Sequence, residues 1–90
     1  MIPKNRKPTH PGKILLNEFL EPMKMSQVEL AKKMGVSIQR INTLINGKRD
    51  VTAETAILLA KVLGTTPEFW MNLQVSRDLY LAQFNINQAA

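Results

Sequence analysis

Ile38, Gln39, Arg40, Asn42, Thr43 and Asn46, with Lys48 and Arg49 just beyond, are the densest group of side chains here that could do chemistry. That chemistry is recognition rather than catalysis. An amide such as Gln39 can pair bidentately with adenine, and a guanidinium such as Arg40 with guanine or a phosphate. Ile38 and Thr43 can offer apolar contact to a thymine methyl. A catalytic reading finds no partners. His10 is the only histidine, there is no cysteine, and the carboxylates are scattered, so no acid and base are paired. No glycine-rich phosphate loop or metal-ligand spacing occurs. Met23, Met25, Met34 and Met71 read as packing residues. Neither cofactor, metal nor enzymatic activity is expected.

Those residues need a helix that buries its other side. The run from Gln27 to Arg49 reads as two short helices joined by a tight Met34-Gly35-Val36-Ser37 turn, a helix-turn-helix that presents its second helix to the DNA major groove. Ser26 with Glu29 three residues on is a capping box that starts the first of the pair. Gly35 can take the left-handed conformation that ends it. Ser37 caps the second helix and Asn46-Gly47 closes it. Ile41 and Leu44 anchor that helix from beneath, which leaves the polar group off the buried stripe. Ala31 is small where the two helices cross, so a larger residue would push them apart.

Around this pair, residues 1–8 read as a flexible basic arm with two prolines. A first helix begins near Thr9–Pro11, with His10 as a helix-entry residue, and Pro22 is expected to end it. Thr52 caps a fourth helix that stops at Gly64 and buries Ala56, Leu59, Ala60 and Leu63. A fifth runs from about Pro67 to Ala82, and residues 83–90 read as a tail. The fold class is all-α, five helices in one compact domain over 9–82. The expected core is Leu15, Phe19, Leu30, Ala31, Met34, Val36, Ile41, Leu44, Leu59, Ala60, Leu63 and part of Phe69, Trp70 and Leu73.

Charge supports a division of labour. Residues 1–49 carry ten Lys and Arg against three Glu, whereas residues 50–90 carry two against four acidic residues. The basic half suits an anionic partner and the other half a different task. No apolar run reaches membrane-spanning length, and the absence of cysteine fits a reducing cytoplasm.

Gln27-x-x-Leu30-Ala31-x-x-x-Gly35-Val36-Ser37-x-x-x-Ile41, followed by Leu44-Ile45-Asn46-Gly47-Lys48-Arg49, resembles the XRE-type helix-turn-helix of phage repressors, a lambda-repressor-like domain. His10-Pro11-Gly12, the Leu63-to-Gln74 block with its Pro67-Glu68-Phe69-Trp70, and Asp78-Leu79 narrow the resemblance to the HigA/VapI antitoxins. It covers about Thr9 to Leu81. The resemblance implies that Gln27 binds a DNA phosphate and that Ser37, Gln39, Arg40 and Thr43 lie at the front of the recognition helix. Asn46, Lys48 and Arg49 would follow the DNA backbone. It further implies a homodimer on a palindromic operator, repression of the protein's own operon, and neutralisation of a RelE/HigB-like toxin that cleaves mRNA. Phe69, Trp70, Leu73, Leu79 and Tyr80 are the expected dimerisation residues, with one of Phe69 and Trp70 completing the monomer core instead. Many phage repressors carry a polar side chain where Ile38 stands, so the operator sequence does not carry over. The alternative is a stand-alone regulator without a toxin. A pure protein-interaction module is disfavoured by the basic N-terminal half.

Overall fold

Pro11 opens the first helix because its fixed φ and missing N–H cost nothing at that position. The computed structural model describes residues 7–89, so most of the expected N-terminal arm, residues 1–6, lies outside the described residues. Three helical segments run on without a break, Pro11–Ile14, Leu15–Leu20 and Glu21–Met23, and together make α1. They are followed by α2 (Gln27–Met34), α3 (Ile38–Ile45), α4 (Ala53–Leu63) and α5 (Pro67–Ala89). Among the described residues there is no strand, and no helix is long and apolar enough to cross a membrane.

Two boundaries differ from the sequence expectation. Pro22 does not end α1; the helix continues to Met23 and stops at Lys24, which takes φ 54. The middle segment is π-helical, and the Glu21 N–H reaches back five residues to the Leu16 carbonyl. A wider turn just before Pro22 relieves the clash its ring would make with the carbonyl four residues earlier. At the other end α5 does not stop near Ala82 but runs to Ala89. No proline or glycine lies between Glu68 and Ala89 to break it. The expected tail is therefore mostly helix, and its Phe84 and Ile86 are exposed.

The local signals act as their chemistry requires. Ser26 Oγ accepts from the Glu29 N–H at 3.0 Å and Glu29 Oε1 accepts from the Ser26 N–H at 3.4 Å. Thr52 caps α4, and Thr66 Oγ1 accepts from the Phe69 N–H at the start of α5. Gly35 and Gly64 end α2 and α4 at φ 71 and φ 74.

The core joins all five helices through Leu15, Leu20, Leu30, Ala31, Met34, Ile41, Leu44, Ile45, Val51, Ala56, Leu59 and Trp70. Trp70 is 0 % exposed. It packs at 5.2 Å centroid distance from Phe19 and 5.0 Å from Phe69, and its Nε1 donates to Thr65 Oγ1 at 2.8 Å. This corrects its expected place among the dimerisation residues, because a side chain wholly enclosed by its own chain has no surface for a partner. Phe69 is the exposed one of the pair, at 38 %.

His10 caps α1: its Nδ1 accepts from the Gly12 N–H at 2.9 Å, so the ring must be unprotonated on that nitrogen. Burial lowers its pKa below the ordinary 6.5. The Arg77 charge adds to the lowering, while Asp50, the Arg49 backbone and Asp78 oppose it. Folding thus favours the neutral ring. The stability this contributes is full above about pH 6.5 and is lost as pH falls through the lowered folded value. Thermal melts taken from about pH 7.5 down to 5 should fall more steeply for the native chain than for His10→Asn, which keeps a capping oxygen but cannot titrate. Equal slopes would remove His10 from the acid sensitivity.

Candidate nucleic-acid interface

The stripe that seats α3 decides what the helix can show. Ile41, Leu44 and Ile45 are buried, and Ser37 Oγ accepts from the Arg40 N–H at 3.2 Å to fix the helix start. With that stripe inward, Ile38, Gln39, Asn42 and Asn46 are exposed and Thr43 is half-buried. Ile45 was not among the expected core residues, and Asn46 remains outside it.

Three amides from two helices form one row. Asn42 Nδ2 donates to Gln27 Oε1 at 3.4 Å, and Asn46 Nδ2 donates to Asn42 Oδ1 at 3.1 Å. Gln27 is the first residue of α2, beside first-turn N–H groups that have no helical partner and favour an anion. The Thr43 hydroxyl donates to the Gln39 and Arg40 carbonyls at 2.9 and 3.2 Å. Its proton is committed within the helix, which leaves the methyl and the oxygen lone pairs for any contact. Past Asn46 the chain turns at Gly47, φ 76, and Lys48 and Arg49 follow, both exposed.

Arg40, expected to meet guanine or a phosphate, does not join this row in the free chain. Its Nη2 donates to Glu54 Oε1 at 2.8 Å and to Thr55 Oγ1 at 3.0 Å, both in the first turn of α4. The Arg40–Glu54 contact is the ion pair found among the described residues. The Arg40 side chain is 26 % exposed and Glu54 is 73 % exposed. Solvent therefore weakens the Coulomb attraction to little. The bond to buried Thr55 is the firmer one, and Arg40 braces the recognition helix against α4. Arg40→Ala should cost about 1 kcal/mol of stability and weaken operator and random DNA alike. Competition binding checks this; a loss confined to the operator would return Arg40 to the base readers.

Sequence reasoning missed Glu54, Thr55 and Gln74. Gln74 is 3 % exposed, and its Oε1 accepts from the Val51 N–H at 2.8 Å, across 23 residues. No local spacing pairs Gln74 with Val51, 23 residues away.

Known proteins share this sequence pattern and fold. A helix-turn-helix family model matches residues 16–70. YbaQ of Escherichia coli strain K12, described as an uncharacterized HTH-type transcriptional regulator, is 47 % identical over 81 residues, 90 % of this chain and 72 % of that protein. Antitoxin HigA-1 of Vibrio cholerae is 48 % identical over 75 residues, 83 % of this chain and 70 % of that protein. Among solved structures, the Pseudomonas aeruginosa antitoxin HigA with the higBA promoter superposes with a TM-score of 0.86 at 35 % identity, covering 91 % of this chain and 89 % of that one.

Proposed function

Because this chain belongs to the helix-turn-helix family of DNA-binding regulators, we propose that it is an operator-binding antitoxin of HigA type. In that role it represses its own operon and neutralises a RelE/HigB-like mRNA-cleaving toxin. The observation that carries the DNA half is the exposed amide row Gln27–Asn42–Asn46, continued by Lys48 and Arg49. The toxin half rests on the likeness to the Vibrio cholerae and Pseudomonas aeruginosa antitoxins.

The roles divide by position. Gln27, Lys48 and Arg49 meet phosphates and supply affinity; Ile38, Gln39, Asn42 and Thr43 face the bases and supply sequence choice. Ser37 acts from behind as the cap of the recognition helix. Two copies pair through α5, where Val75 and Leu79 are 46 % and 49 % exposed, with Phe69, Leu73 and Tyr80 nearby in the same helix. A two-fold pair of this kind sets two recognition helices roughly 34 Å apart, one turn of DNA, on a palindromic operator. A cytoplasmic location fits that work.

Fluorescence anisotropy on the chain's own promoter tests the reading. Binding should be about a thousandfold tighter than to random duplex, with two chains per operator by sedimentation. The product of the adjacent toxin-like gene should co-purify with it. Promoter binding no tighter than random DNA would overturn the operator reading, and a promoter binder without a co-purifying neighbour would be a stand-alone regulator.

A further inference from the structure

The loop from Gly47 to Val51 carries Lys48 and Arg49, and its own sequence anchors it in the core only at its far end, through buried Val51. Asp50 is exposed like its two basic neighbours, and within the loop's first half the Lys48 N–H to Thr43 carbonyl bond, 2.9 Å, ties it to α3. Two sequence blocks outside the recognition pair contact it.

The first is the entry to α1. Gly12 lies so close to the last turn of α3 that an added Cβ would meet the Leu44 carbonyl carbon at 2.8 Å and Ile45 Cα at 2.9 Å. The His10 ring lies beside Gly47, its Cγ and Cδ2 both 3.9 Å from where a Gly47 Cβ would sit. Its Nε2 is buried without a bonded partner. The second is α5. Gln74 spends both ends of its amide: Oε1 accepts from the Val51 N–H at 2.8 Å, and Nε2 donates to Asp78 Oδ1 at 2.9 Å. A flipped amide would set donor against donor at Val51 and acceptor against acceptor at Asp78, so the orientation is chemically forced. Arg77, in the same turn of α5, donates to the Pro8 carbonyl at 3.1 Å and ties the two blocks together.

We infer that His10 and Gln74 are positioning residues for DNA binding: they hold the Gly47–Val51 loop so that Lys48 and Arg49 meet phosphates while α3 faces the bases. This rests on the proposed phosphate role of that loop. A loop ordered in advance need not be ordered on the DNA, and the entropy saved appears as affinity. The grip also places the phosphate contacts under the control of α5, the proposed pairing helix.

Operator binding by the full chain, followed by anisotropy from about 50 to 200 mM salt, tests it. Gln74→Met keeps the shape but loses both bonds. It should weaken operator binding about tenfold and flatten the slope of log affinity against log salt by about one phosphate contact. Added to Lys48→Ala with Arg49→Ala, it should cost little more. Combining Gln74→Glu with Asp78→Asn exchanges the partners, with a carboxylate accepting from Val51 and an amide donating to it. This pair should restore the slope. If Gln74→Met is too unstable to assay, His10→Asn, too short to reach Gly47, is held to the same two readouts. A full slope in these variants, or losses that multiply with those of the loop variants, overturns the inference alone. An unchanged slope in Lys48→Ala with Arg49→Ala overturns the phosphate reading, and the inference with it.

Discussion

Gly12→Ala is expected to be the most damaging single methyl that can be added to this protein. The new Cβ would overlap the Leu44 carbonyl oxygen, well inside any tolerable carbon–oxygen contact. All three nearest atoms belong to the backbone of α3, so no rotamer change can clear the way. The two helices would have to part along a surface where Leu15 and Leu44 are 0 % and 2 % exposed. Overpacking of a core costs about 1–3 kcal/mol and more when backbone must move. The helix propensity gained by replacing glycine returns at most about 1 kcal/mol. A net loss near 3 kcal/mol corresponds to a melting point lowered on the order of 15 °C in a chain of this size. Circular dichroism melts check the value. A melting point within a few degrees of the native chain would mean that α1 and α3 do not approach as closely as described. Gly12 is thus required for close approach and not for an unusual dihedral, since the positive-φ glycines are Gly35, Gly47 and Gly64.

What the sequence makes legible here is whatever is decided within a few residues. Ser26 and Glu29, Ser37 and Thr52 cap helices because an oxygen three residues before an orphan N–H has one place to go. The buried stripe of α3 follows from the three-residue spacing of Ile41 and Leu44, which is why its exposed face is legible in the sequence. Contacts between distant elements were not legible. Arg40 carries the same charge whether it faces a base or the first turn of α4, and only packing places Glu54 and Thr55 within its reach. Pro22 breaks a regular helix, and nothing in the local sequence announces the π-helical turn that accommodates it. Gln74 meets Val51 across 23 residues, and no local pattern encodes that distance. The apolar residues around much of α5 likewise hid which of Phe69 and Trp70 turns inward.

Trp70→Ala should cost about 3–5 kcal/mol, much of the stability available to a domain of this size, because the indole has no exposed edge along which neighbours could collapse. Phe19 and Phe69, at 5.2 and 5.0 Å, would lose the ring between α1 and α5 against which both pack. Trp70→Phe is the milder change. It keeps an aromatic ring between Phe19 and Phe69 but loses the Nε1 bond to Thr65 and leaves a small cavity where the second ring stood. Its cost should be about 1–3 kcal/mol, below that of Trp70→Ala. Because Trp70 is core and not interface, Trp70→Phe should leave the dissociation constant of the proposed dimer unchanged. Leu79→Asp, on the exposed side of α5, should raise that constant with little change in monomer melting. Sedimentation and thermal melts on the two variants read these effects independently. If Trp70→Phe loosened the dimer and Leu79→Asp did not, α5 would present a different face to its partner, and the spacing of the two recognition helices would have to be drawn again.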